Sequence, residues 1–328
     1  MTLMVDFAYS ALTPDLILDA IESVGIYPES GLLALNSYEN RVYQFRGEGL
    51  TRYVVKFYRP QRWSREQIQE EHDFSFELAE SEIPVVAPMR FNGESLLEYQ
   101  GFLFSIFPSA GGREFEVDNL EQLEWVGRFM GRAHQLAKAT HFQYRPTITA
   151  LSYLHQPRQV LFDSGFIPDY LHTSFFTVLD QLIAECTRQY QPKSLIRLHG
   201  DCHPGNILWR DGPIFVDLDD SRMGPAVQDL WMMLSGDRQE QLLQLDVLLE
   251  GYSEFCEFDN DELSLIEPLR AMRMVHYMAW LTKRWQDPAF PHNFPWFNTT
   301  RYWEDQVLAL KEQLAQLNEP VLSLLPHY

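Results

Sequence analysis

The sequence predicts an α+β fold in two lobes: a small one of antiparallel sheet plus helix over residues 1–107, and a larger, mainly helical one over 108–328. Three observations carry this. The chain's 328 residues exceed the length at which one hydrophobic core grows comfortably. Short β-prone runs bounded by turn residues crowd the first third, whereas later segments repeat apolar residues at helical spacing. Between them, the strand-like run Phe102–Phe107 ends in Pro108-Ser109-Ala110-Gly111-Gly112, punctuation that marks a boundary.

The elements follow in order. Thr13-Pro14-Asp15 supplies an N-cap, a proline at the first helical position and an acidic first turn, and Gly25 closes a short amphipathic helix. Residues 32–35, 42–45 and 53–58 read as strands of an antiparallel meander, with Gly47 and Gly49 between the last two. Lys56 then shares a face with Val54 and Tyr58, opposite Val55 and Phe57. A lysine on an edge strand is commonly only solubilising, so its meaning depends on a partner. Ser64 and Gln67 form a capping box for the next helix, whose stripe is Ile68, Phe74 and Leu78. Glu71 falls within that stripe and Glu70 points away. A glutamate on a packing face needs a cation, and Lys56 is the natural candidate; the rival reading leaves Glu71 at a solvated margin. After Pro84–Pro88 come strands at 96–99 and 102–107, and everything beyond is mainly helical. The helix 120–137 carries Leu123, Val126, Met130 and His134 at helical spacing, with Gly127 and Gly131 permitting close packing and His134 a buried structural histidine.

The most informative segment is His199-Gly200-Asp201-Cys202-His203-Pro204-Gly205-Asn206, followed by Ile214-Phe215-Val216-Asp217. Asp211-Gly212 is a hairpin signal between Ile207–Trp209 and Ile214–Val216. A two-residue turn there pairs Trp209 with Ile214, Leu208 with Phe215 and Ile207 with Val216, and sets Asn206 opposite Asp217. Pro213 cannot donate the bond that closes so tight a loop, so a wider loop with the same register is the expectation. An amide oxygen and a carboxylate at one spot suit Mg²⁺, a hard cation that completes its shell with water and substrate phosphates. Asp201, five residues before Asn206, stands where phosphoryl transfer needs a carboxylate to orient the attacking hydroxyl. The bland alternative makes the loop a turn and Asp217 a helix cap. His199 reads as a loop-shaping residue, and His203 as either a loop residue or a phosphate neighbour. Asp219 and Asp220 divide between a second metal site and a cap of the following helix.

Composition narrows the partners. Against 46 acidic residues there are 26 basic ones, a formal charge of −20 that repels nucleic acid and anionic membranes, admits cationic partners and promotes solubility. The first residues lack a cationic leader pattern and no apolar run approaches a membrane span, which predicts a soluble chain. Cys186, Cys202 and Cys256 have no paired spacing and read as cytosolic thiols. The final third is rich in aromatics, among them Trp280, Trp285, Phe290, Phe297 and Trp303. Most of this is core, while 287–298, with three prolines, is either core or a lip over an acceptor site. Pro326-His327-Tyr328 reads as a surface tail.

H-G-D-x-H-x-G-N with a downstream V-D-L-D-D resembles the aminoglycoside phosphotransferase family, which includes choline and homoserine kinases and has a bilobal, protein-kinase-like fold. The resemblance implies a nucleotide-binding lobe over 1–107 and a catalytic, acceptor-binding lobe over 108–328. It implies ATP as phosphoryl donor and Mg²⁺ as cofactor, with Asp201 and Asp217 catalytic and Asn206 and Asp217 on the metal. V-V-K-F resembles the strand whose lysine holds the ATP phosphates, giving Lys56 that role with Glu71 as its partner. Ser37, in the loop 36–40, stands where a phosphate loop lies, although G-x-G-x-x-G is absent. Ile106, within 105–107, falls on the hinge whose backbone meets adenine, and Asp229 takes the place of an aspartate that anchors the catalytic loop, with a helix N-terminal cap as the rival reading. The order of motifs along most of the chain is similar to bacterial Ser/Thr protein kinases of this superfamily. That likeness implies Ser/Thr acceptors, a monomer, a cytoplasmic location and a role in envelope and oxidative stress. A small-alcohol kinase for choline, an amino-sugar or a homoserine-like acceptor uses the same machinery, and a nucleotide-binding pseudokinase scaffold is the non-enzymatic alternative.

Overall fold

A computed structural model describes residues 9–324, so the expected tail at 326–328 lies outside the described residues. In chain order the elements are α1 (Pro14–Glu22), β1 (Leu33–Ala34), β2 (Arg41–Arg46), β3 (Arg52–Phe57), α2 (Arg65–Glu80), β4 (Leu97–Tyr99), β5 (Phe102–Pro108), β6 (Arg113–Glu114) and α3 (Leu120–Ala137). Then follow α4 (Gln156–Ser164), α5 (Asp169–Gln189), β7 (Ile196–Leu198), β8 (Ile207–Trp209), β9 (Pro213–Phe215) and β10 (Arg222–Gly224). The chain continues through α6 (Gln228–Trp231), α7 (Arg238–Ser253), α8 (Ile266–Arg284), α9 (Ala289–Asn293) and α10 (Thr300–Gln316). Two compact units result. The first holds the described part of Met1–Glu116 with Phe142–Arg145 and His203–Ser221; the second holds Val117–His141, Pro146–Cys202 and the described part of Arg222–Tyr328. The segment carrying Asn206 and Asp217 thus packs with residues far earlier in the chain.

In the first unit, an antiparallel sheet runs β1-β2-β3-β5-β4. Alternation along β3 turns Val55 and Phe57 to one face, where they join Phe45, Phe104 and Ile106 in a core closed by Ile17, Ala20 and Ile21 of α1. Thr13 caps α1 by accepting the Leu16 amide, and the Ser64–Gln67 capping box opens α2. Strand β1 is shorter than expected: both its residues are exposed, so burial adds nothing to extend the pairing.

A smaller sheet, β6-β8-β9, carries a correction. Ile207 pairs with Phe215, Leu208 with Ile214 and Trp209 with Pro213, one residue away from the expected register. A two-residue loop would place Pro213 opposite Arg210, where an N–H is needed. The chain instead spends three residues on the turn, with Asp211 and Gly212 at positive φ and the Arg210 amide donating to the Gly212 carbonyl at 2.9 Å. Asn206 consequently faces Val216, whose amide donates to the Asn206 carbonyl at 3.0 Å, and Asp217 lies one residue past that pair. Strand β9 is fixed on its other side by the Pro84 and Val86 backbone at 2.7 and 3.0 Å.

In the second unit α3 packs on α7 at backbone contact. A methyl group at Gly127 would stand 2.1 Å from the Leu248 carbonyl oxygen, and one at Gly131 2.3 Å from that of Tyr252, so both glycines are required by close approach. The aromatic third is core: Phe290, Phe297 and Trp303 are fully buried, and Phe290 lies edge-on to Trp280 at 4.9 Å. Within 287–298, Phe290, Phe294 and Phe297 anchor the segment to that core, while Trp296 and most of the other residues are exposed.

Candidate active site

The first unit contains a cavity of about 290 Å³. Val42, Val54, Val86, Phe107, Leu208 and Val216 form its apolar walls, and Ser37, Lys56, Glu71, Asn206 and Asp217 supply polar groups. Each of these polar groups arrives by a local rule. The pleat of β3 sends Lys56 to the cavity because Val55 and Phe57 go to the core. Asn206 ends a short 3₁₀ turn whose start is tied by the Gly205 amide donating to His203 Nδ1 at 3.1 Å, so His203 serves as a loop brace. Asp217 follows β9 at φ +60, a strained conformation for a residue with a side chain, and its carboxylate is about half exposed.

The electrostatics beneath the cavity are dense. Lys56 Nζ lies 3.0 Å from Asp217 Oδ1 and 3.0 Å from Asp219 Oδ1. Burial opposes the lysine's charge, but the two aspartates outweigh it and hold its pKa well above the ordinary value. Burial likewise opposes ionisation of Asp219, yet Arg62, Lys56 and Arg145 pull its carboxyl far below the usual range. Arg62 bonds both Asp219 and, at 2.9 Å, Asp220, while Asn40 Nδ2 donates to Asp219 at 3.0 Å. The Asp219 carboxylate caps no helix and faces buried cations, an environment that only spatial neighbours reveal.

Glu71 is buried as its place in the α2 stripe required, but the expected direct pair with Lys56 is not what forms. Arg145 Nη2 donates to Glu71 Oε2 at 2.9 Å, and Lys56 acts on Glu71 through space. Burial raises the Glu71 pKa, opposed by Lys56 and Arg145. The outward Glu70 explains how Arg145 arrives: its carboxylate accepts the amides of Gln143, Tyr144 and Arg145 at 2.6–2.8 Å, pinning that segment to α2. Arg145 further donates to the carbonyls of Gln67 and Asp219, both at 2.6 Å, and stacks over Trp63 at 4.5 Å. No periodicity signals this arginine; it sits before Pro146 in an irregular stretch and acts 74 residues from its partner.

Behind Lys56, His72 bonds Tyr58 Oη at 2.8 Å through Nε2 and Ser95 Oγ at 2.9 Å through Nδ1. Burial, with Lys56 and Arg145 nearby, pushes its pKa down to about 3, so the ring is neutral. The Ile106 side chain is fully buried in the sheet core and its carbonyl accepts the Met89 amide at 2.7 Å. Phe107, Pro108, Ser109 and Ala110 line the cavity, because alternation turns the Ile106 side chain to the core.

The second unit holds Asp201. Arg273 of α8 reaches Asp201 Oδ1 at 2.5 Å. The preceding residues are fixed by Asp229 of α6, whose two carboxylate oxygens accept the His199 amide at 2.7 Å and the Gly200 amide at 2.8 Å, Gly200 standing at φ +87. This is the anchoring geometry expected of Asp229, and the His199 backbone takes part in it. His134 bonds Asp229 Oδ2 at 3.3 Å and Tyr252 Oη at 3.0 Å, a buried structural histidine as predicted. Cys202 is fully buried, and burial with Asp229 and Asp201 nearby holds its thiol well above the ordinary pKa, which makes it a poor thiolate.

Among the described residues no three or more His, Cys, Asp or Glu side chains gather as a metal cage, and no helix is long and apolar enough to cross a membrane. Residues 32–266 match the model of the phosphotransferase enzyme family. Over 323 residues the chain is 55% identical to stress response kinase A of Escherichia coli, covering 98% of each protein. It is 54% identical, with the same coverage, to a Salmonella typhimurium protein named Serine/threonine protein kinase RdoA. Its fold is similar to that of amicoumacin kinase (TM-score 0.72, 19% identity, 94% of each chain). It is also similar to that of a microcompartment-associated aminopropanol kinase (TM-score 0.71, 15% identity, 94% of this chain and 99% of that one).

Proposed function

The chain belongs to the phosphotransferase enzyme family, and on that premise we propose that it moves the γ-phosphate of ATP, with Mg²⁺, to Ser or Thr hydroxyls of protein substrates in a stress response. The observation that carries this is the shared cavity of Lys56, Ser37, Asn206 and Asp217 in the first unit. Its apolar walls suit a purine, with the backbone of Phe107–Ala110 in place of Ile106 as the edge available to the base. Lys56, kept charged by its aspartates, suits the phosphates, and Ser37 with the neighbouring backbone suits their far oxygens.

Asn206 and Asp217 offer the oxygen donors that Mg²⁺ takes when phosphates and water complete its shell, and the half-exposed Asp217 carboxylate is accessible for this. When bound, the ion neutralises charge on the transferring phosphoryl group. Asp201, its backbone neighbours held by Asp229, orients the acceptor hydroxyl and takes its proton. Glu71 maintains the charge balance around Lys56. Such catalysis is positioning plus electrostatics, with no covalent enzyme intermediate. The protein acceptor is supported by the name of the Salmonella relative and the stress role by that of the Escherichia coli one. A cytoplasmic monomer active in envelope and oxidative stress completes the reading.

The test incubates wild-type and Asp201→Ala protein with Mg²⁺ and γ-labelled ATP, with and without a generic Ser/Thr protein substrate. Asp201-dependent label on Ser or Thr is expected. Label that appears only on an added small alcohol would move the acceptor class to choline-like or amino-sugar substrates, and ATP binding without any transfer would make the chain a scaffold.

A further inference from the structure

We propose that Arg273 is a specificity-determining residue that selects acceptors bearing an anionic group beside the hydroxyl, and, on the protein-kinase reading above, Ser or Thr flanked by acidic residues. The observation is local and runs against the charge of the whole chain. With a formal charge of −20, the surface at large favours cationic partners. At the carboxylate proposed to receive the acceptor, however, the second unit supplies a guanidinium, 2.5 Å from Asp201 Oδ1.

Arg273 is placed for exchange with a ligand. Its side chain is 44% exposed and that of Asp201 26%, so both remain open to solvent. One of five guanidinium N–H donors meets Asp201, and the planar fork is suited to a second carboxylate or a phosphate in bidentate geometry. One helical turn along α8, His276 stacks on Tyr153 at 4.6 Å, and the Tyr153 hydroxyl in turn accepts from Arg222 at 2.5 Å. A histidine one turn along α8 thus links through Tyr153 to a second, buried arginine of the second unit. An acceptor that brings its own cation would meet Arg273 as a like charge, while one that brings an anion gives the guanidinium a partner and holds its hydroxyl beside Asp201.

The experiment measures kcat/KM for wild-type, Arg273→Gln and Arg273→Glu proteins on four acceptors of equal concentration. These are a Ser peptide flanked by Glu, the same peptide flanked by Lys, a small hydroxy acid and a small amino alcohol. Wild-type protein is expected to favour each anionic acceptor over its cationic counterpart by about fivefold or more, the scale of one partly exposed charge pair. Arg273→Gln should erase that ratio and Arg273→Glu should reverse it. An arginine that only braced the loop would lower all four rates together with the ratios unchanged, which overturns the proposal, as does a wild-type preference for the cationic members or no transfer to either anionic one. The two comparisons are independent: activity confined to the small acceptors with the anionic one preferred upholds the inference while refuting the protein-kinase reading.

Discussion

Replacing Arg145 by Met removes from the interior of the first unit the guanidinium that pairs with Glu71. Arg145 is 4% exposed and Glu71 2%, so the carboxylate cannot turn to water when its partner goes. Breaking a buried ion pair on one side costs about 3–5 kcal/mol, most of it the uncompensated charge. The bonds from Arg145 to the Gln67 and Asp219 carbonyls are lost as well, which keeps the estimate near the upper end. Adding Glu71→Gln abolishes the stranded charge but does not restore the lost Arg145 bonds, so the double variant should recover about half of the loss. The pH dependence has a definite sign. Burial already raises the folded-state pKa of Glu71, and without Arg145 one of its two cations is gone, so it rises further. The folded protein then holds a proton that the unfolded chain has released, so the penalty grows as pH rises above the ordinary carboxylate range and vanishes below it. Urea denaturation between about pH 5 and pH 8 reads this directly. A loss under about 1 kcal/mol, the same at every pH and unrelieved by Glu71→Gln, would refute the assignment of Arg145 as the counter-ion.

Four further outcomes are expected. Asp217→Ala should abolish turnover, whereas Ser37→Ala should leave measurable activity, since one is a proposed metal ligand and the other a phosphate neighbour; equal residual rates in a label-transfer assay would contradict the assignment. Asp229→Asn turns one of two acceptors for the His199 and Gly200 amides into a donor, which should lower kcat by about 1.5–3 kcal/mol of transition-state stabilisation while the ATP KM changes little. Gly127→Ala should destabilise the second unit by about 3 kcal/mol, seen as a lower melting temperature, because the methyl meets a backbone oxygen that has no rotamer to yield. The His72 ring should show no titration by NMR between pH 5 and 8. Its folded value lies near 3, below that of an unfolded histidine, so its contribution is complete above the ordinary range and declines as pH falls toward that value.

Much of this protein was legible along the chain because it depends on local rules. The helix 120–137 was fixed by apolar spacing, and the start of α2 by a capping box that needs only Ser64 and Gln67. The alternation of β3 placed Lys56 on the opposite face from Val55 and Phe57 with no knowledge of their neighbours. Gly127 and Gly131 announced a close helix contact, although not that α7 would make it. The phosphotransferase signature lies in one short segment of sequence, where motif spacing alone picks it out.

Tertiary structure decided what depends on partners distant in sequence. That Glu71 needed a cation followed from its burial, but the choice of Arg145 came from Glu70 gripping the 143–145 backbone. Asp219 became a charge hub because Arg62, Lys56 and Asn40 converge on it from separate elements. The one-residue shift of the β8–β9 hairpin turned on the N–H that Pro213 lacks and on the backbone at 84–86 that receives β9. The side chains that line the cavity beside Ile106 are those of Phe107–Ala110, because the pleat commits the Ile106 side chain to the core. Periodicity and motif spacing state which groups must be buried or charged; only packing in three dimensions determines which group answers them, since a Coulomb or hydrogen-bond partner is chosen by distance in space and not along the chain.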